Sequence, residues 1–91
     1  MNLEEVRTEI NEIDKELVRL IEKRMTQVVL VGEYKMKKNI PVLDSKREEI
    51  VLKKVSSLVK NKSFDNSIVE IFQAMMTTAK KYQEQMIKEN H

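Results

Sequence analysis

The sequence holds no cysteine and no tryptophan, and only one glycine and one proline in 91 residues. Without cysteine there is no disulfide, no thiolate nucleophile and no sulfur-ligated metal, which fits a reducing compartment. The single histidine is His91, the last residue, so an imidazole general base or a His-centred metal site is close to excluded. Any chemistry must run on Lys, Arg, Glu, Asp, Gln, Ser, Thr or Tyr. Average usage of roughly 7% Gly and 5% Pro would supply about six and about five of these residues. Having only Gly32 and Pro41 excludes a sandwich or barrel of many short strands, which needs turn residues about every 8–12 positions.

Charge of one sign is missing as well. Seventeen Lys+Arg against fifteen Asp+Glu give a net charge of +2, and the signs alternate along the chain. Lys35, Lys37 and Lys38, Lys60 and Lys62, and Lys80 and Lys81 form small basic clusters, with acids between most of them. A nucleic-acid surface would show a stripe of one sign interleaved with aromatics, and Tyr34, Phe64, Phe72 and Tyr82 are the only aromatics. Long apolar runs are absent too. Val28-Val29-Leu30-Val31 falls far short of the ~20 residues that span a bilayer. Met1 to Asp14 carries Glu4, Glu5, Arg7, Glu9, Glu12 and Asp14 and no apolar signal core. The expectation is a cytoplasmic protein with neither nucleic-acid nor membrane partners.

What is present reads as helix. Hydrophobic residues make up 41% and charged residues 35%, too apolar for disorder. Leu3, Val6, Ile10, Ile13, Leu17, Leu20, Ile21, Val28 and Val31 recur at gaps of mostly three and four, the amphipathic helical spacing. Asn2 with Glu5 reads as a cap and its partner at the start. Asn39, Ile40 and Pro41 read as a stop, with Lys37 and Lys38 in the last turn. A second helix opens at Asp44 or Ser45, where Ser45-x-x-Glu48 is a capping-box pattern, and runs to about 59. Lys60 to Phe64 reads as a loop, and Asp65 as the cap of a third helix reaching about 88. The predicted fold is all-α, a single domain over 1–91 with helices at about 3–38, 45–59 and 65–88.

The first helix carries a geometric consequence. About 36 residues at ~1.5 Å each make it ~54 Å long, whereas a compact chain of this size has a radius of gyration of ~12 Å and a diameter of about 30 Å. A kink that folds the helix back would resolve the mismatch, but the sole kink candidate, Gly32, lies too near the C-terminal end for a balanced hairpin. The spacing therefore predicts an intertwined helical homodimer, in which a second chain covers the apolar stripe.

Several polar residues sit where hydrophobes are expected. The stripe of the first helix continues Leu17, Ile21, Arg24, Val28, Val31, Lys35, and Arg24 and Lys35, about 1100° apart, point within ~20° of each other. Arg47, Val51, Lys54 and Leu58 share a face of the second helix, with Glu48 flanking Val51 and Val55. Gln83 falls on the third helix's stripe of Phe72, Met75, Ala79 and Met86. Each has a purely structural reading: an Arg24–Glu48 bridge, a snorkelling Lys35, a Glu48 confined to its capping box, a satisfied core amide at Gln83. Gly32 reads equally as a close helix crossing or as room for a ligand. Together, however, they amount to an excess of cationic donors inside a bundle, suited to a small anion with more than one carboxylate.

These residues carry a resemblance. Leu3-Glu4-Glu5-Val6-Arg7, Ile13-Asp14-Lys15-Glu16-Leu17, Glu22-Lys23-Arg24, Val31-Gly32-Glu33-Tyr34-Lys35, Pro41 through Glu48 and Ile71-Phe72-Gln73 resemble, in order and spacing, the all-helical (AroQ-class) chorismate mutases. The resemblance implies an intertwined homodimer of three-helix chains and an isomerase that rearranges chorismate to prephenate. That pericyclic step has no covalent intermediate, no obligatory proton transfer and no cofactor or metal. It further implies that Arg24, with Arg7 of the partner subunit, grips the two substrate carboxylates. Lys35 and Gln83 are implied to donate to the ether oxygen and Glu48 to accept from the ring hydroxyl, while Asp44 and Arg47 shape the same wall. Ala79 departs from the pattern, since many relatives carry Ser there, and it removes a hydroxyl near one carboxylate. The length implies a form without a fused dehydratase or dehydrogenase domain. The alternatives are an isochorismate pyruvate lyase on the same fold and a non-catalytic helical dimer module. The pairing of Asp44 with Arg47 and Glu48 leans towards the mutase.

Overall fold

The computed structural model describes residues 1–90, and His91 lies outside the described residues. Three helices make up the chain: α1 (Leu3–Lys38), α2 (Ser45–Leu58) and α3 (Asp65–Glu89), with a 3₁₀ turn at Lys62–Phe64. The all-α class and the long first helix expected from the spacing are both present. The helix is continuous through Gly32, so the folded-back alternative fails.

Local chemistry explains the ends. The Asn2 side chain accepts from the backbone N–H groups of Glu4 and Glu5, satisfying two of the donors a helix start leaves unpaired. At the other end Asn39 adopts the left-handed region with φ 55°, and its N–H donates to the carbonyls of Lys35 and Met36. Asparagine tolerates that conformation better than most residues.

Two capping expectations are corrected. Asp44, not Ser45, caps α2, accepting from the Arg47 N–H at 3.0 Å, so Glu48 is released from the capping box. Asp65 does not cap α3: with φ −55° and ψ −54° it is already helical, whereas a capping residue needs extended backbone. The 3₁₀ turn runs straight into α3, and Phe64, at the cap position, offers no side-chain hydrogen bond. Asp65 instead accepts from the Ser56 hydroxyl at 2.9 Å, tying the end of α2 to the start of α3.

The packing is open. α3 lies against both α1 and α2, while α1 and α2 make no close backbone approach. α1 and α3 run in the same direction: Ile21 and Met25 share an apolar groove with Ile71 and Met75, and Gly32, further along, faces Gln83 and Met86. α2 runs against α3, with Glu48 beside Lys80 at one end and Ser56 beside Asp65 at the other. The inward face of α2 is Glu48, Val51, Leu52 and Val55; Lys54 and Leu58, expected there, are exposed.

Beyond this junction α1 projects alone. Every residue from Met1 to Lys23 is exposed, and Leu3, Val6, Ile10, Ile13, Leu17, Leu20 and Ile21 are each 40–55% exposed. The chain measures 54 × 25 × 15 Å with a radius of gyration of 16.3 Å, well above the ~12 Å of a compact chain of this length. Among the described residues the buried apolar side chains are Val55, Met76 and Ala79 alone. No helix among these residues is long and apolar enough to cross a membrane.

Candidate active site between three helices

Because α1 and α2 stand apart, a cavity of about 280 Å³ opens between them, floored by α3. That is near the lower end of the size range for small-molecule sites. α1 contributes Arg24, Val28, Val31 and Lys35; the start of α2 contributes Asp44, Arg47, Glu48 and Val51; α3 contributes Met76, Ala79, Lys80 and Gln83. Six of the seven residues singled out from the sequence thus meet around one space. The walls are apolar between polar groups that converge from three helices.

Each key side chain is held. Lys35 donates from Nζ to the Val42 carbonyl at 2.8 Å, which ties the end of α1 to the segment leading into α2. Gln83 is only 6% exposed and donates from Nε2 to the Val28 carbonyl at 2.9 Å. This bond uses one of the two amide protons, and the second remains for a ligand. Glu48 pairs with Lys80, Nζ to Oε2 at 2.8 Å. The bridge read from the sequence between Arg24 and Glu48 is therefore not formed; the acid turns to α3.

Gly32 resolves in favour of the close crossing. It is buried and does not line the cavity. A β-carbon there would stand 2.7 Å from Met86 Cε and 3.1 Å from Gln83 Cγ. The methionine tip can move aside; the glutamine, held by Val28, must shift by a few tenths of an ångström. Gly32→Ala should accordingly leave thermal stability nearly unchanged, since a helix-propensity gain of about 1 kcal/mol offsets the crowding. Turnover should fall as Gln83 is displaced. Stopped activity assays beside a melting curve separate the two effects.

Arg7 is the residue the single chain does not bring in. Its side chain is 63% exposed and reaches Glu4 Oε1 at 3.4 Å. Seventeen residues of helix, ~25 Å, separate it from Arg24. Conversely, Lys80 belongs to the cavity and was missed. Its signal was available: it lies three residues before Gln83 and four after Met76, the spacing of one helical face.

The charge balance of the cavity favours an anion. Arg24, Lys35, Arg47 and Lys80 face Asp44 and Glu48, leaving a surplus of two positive charges in a small, partly apolar space. Such a site suits a compact molecule with two carboxylates. Among the described residues no three His, Asp or Glu side chains group to hold a metal ion.

Fold and site together define an all-helical protein with a small, positively charged cavity between three helices. The chain belongs to the chorismate mutase type II family, which matches it over residues 6–84. It is 33% identical over 88 residues to the chorismate mutase of Methanocaldococcus jannaschii, covering 96% of this chain and 89% of that one. It is 41% identical over 71 residues to a bifunctional chorismate mutase/prephenate dehydratase of Buchnera aphidicola, covering 77% of this chain and 18% of that one. To the bifunctional protein of the same description from Aquifex aeolicus it is 38% identical over 58 residues, 64% of this chain and 16% of that one. The chain thus spans less than a fifth of the length of these bifunctional relatives. No solved structure matches it significantly.

Proposed function

We propose that the protein is a chorismate mutase, an isomerase that converts chorismate to prephenate in aromatic amino acid biosynthesis, working as an intertwined homodimer. The observation that carries this reading is the convergence of Arg24, Lys35, Asp44, Arg47, Glu48 and Gln83 on one cavity that, with Lys80, has two surplus positive charges. Arg24 grips one substrate carboxylate and Arg7 of the partner subunit the other. Lys35 and Gln83 donate to the ether oxygen, where negative charge grows as the C–O bond breaks. Glu48 accepts from the ring hydroxyl, and Asp44 and Arg47 complete that wall. Donors already fixed by Val42 and Val28 need no reorganisation at the moment of reaction. Apolar Val28, Val31, Val51 and Met76 confine the substrate to the folded conformer in which the new C–C bond can form.

The dimer is supported by the exposed stripe of α1 and by the small core of the single chain. A stripe of Leu3, Val6, Ile10, Ile13 and Leu17 left in water is the signature of a missing helix partner. Antiparallel apposition of two such helices would bring Arg7 of one protomer to the Arg24 end of the other. Ala79 offers no hydroxyl to a carboxylate, and the backbone N–H groups of mid-α3 are held within the helix, so the grip on that carboxylate is weaker. The test is loss of chorismate absorbance on adding purified protein, with product identification. Prephenate is expected; pyruvate release, or no consumption, would overturn the reading.

A further inference from the structure

The pair formed by Lys80 and Glu48 stands apart from the other ion pairs among the described residues. Those three are i,i+3 pairs on the exposed surface of α1, of the kind that contributes little. Lys80–Glu48 joins two helices, lies in the cavity wall and is mostly buried, its side chains 25% and 20% exposed. We propose that Lys80 is a positioning residue for the reaction, which keeps Glu48 aimed at the substrate's hydroxyl and away from the cations that bind its carboxylates. The inference rests on the chorismate mutase reading above.

The physical case is one of competition. Glu48 shares its cavity with Arg24 and Lys35 of α1, with Asp44, which caps α2, and Arg47 of its own helix, and with Lys80 of α3. Left to itself, a carboxylate among these groups would pair with a guanidinium, whose fork matches it in two places. That would consume a positive charge the dianion needs. Among the described residues Arg24, Lys35 and Arg47 form no ion pair, and Lys80 alone takes Glu48. A lysine is suited to this because its ammonium is a point charge that engages one oxygen, Oε2, and leaves Oε1 to accept from a hydroxyl. The pair also anchors the first turn of α2 to α3. Since α1 and α2 make no close approach, that anchor helps to set the width of the site.

Lys80→Met retains the aliphatic stem against its apolar neighbours and removes the charge. The hydroxyl takes no part in the bonds made and broken, so its contact acts alike on bound substrate and transition state. Lys80→Met should therefore raise KM by about tenfold, with kcat changed far less, and the melting temperature should fall because Glu48 is left without its partner. Lys80→Arg should recover most of the loss. In the Glu48→Gln background Lys80→Met should have almost no further effect on KM. An unchanged KM, or the same increase in both backgrounds, overturns the proposal while leaving the mutase reading intact. Absence of chorismate turnover by the unaltered protein defeats both.

Discussion

Lys35→Ala should lower kcat by roughly two orders of magnitude or more while the protein keeps its helical content and association state. The size of the effect follows from the role proposed for the ammonium. As the ether bond breaks, negative charge grows on its oxygen, and a donor aimed at that position acts on the transition state more than on the substrate. Removing one such preorganised donor costs about 10²–10³ in turnover in other enzymes. The structural loss is small by comparison. Lys35 is partly exposed and its bond to the Val42 carbonyl is worth about 1 kcal/mol. Gln83→Ala should show a loss of turnover of the same order for the same reason, although its buried amide also holds Val28. Steady-state kinetics beside sedimentation and thermal melting distinguish lost chemistry from lost folding. Turnover near that of the parent in Lys35→Ala would refute the assigned role.

Much of this arrangement is legible in the sequence because it is written in local patterns. Gaps of three and four, Asn2 at one end and Asn39 at the other delimit a helix too long for its own chain. Arg24, Lys35, Glu48 and Gln83 interrupt apolar faces, and their excess of donors already points to an anionic ligand. What was not legible depends on contacts between elements. That Glu48 would turn to Lys80 and not to Arg24 is decided by which helices touch, and α2 leans on α3 alone. Asp65 has the composition of a cap, yet the 3₁₀ turn before it makes it a helical residue and hands it to Ser56. Gly32 suits a crossing and a pocket equally by sequence; only the position of Met86 and Gln83 across from it chooses. Arg7 shows a limit of another kind, since the place proposed for it in the site depends on a second chain.

That last dependence yields the most discriminating experiment. In the proposed dimer each site takes Arg24 from one protomer and Arg7 from the other. Arg7→Ala and Arg24→Ala, prepared separately, should each be nearly inactive, because every site of either homodimer lacks one carboxylate ligand. Unfolded together in equal amounts and refolded, half the dimers are mixed. In a mixed dimer one site collects both substitutions and the other neither, by the two-fold symmetry of the assembly. The refolded mixture should therefore regain about a quarter of the parent's activity towards chorismate. A mixture no more active than its two components would contradict the shared site, and with it the role of α1 as the element that carries Arg7 to its partner.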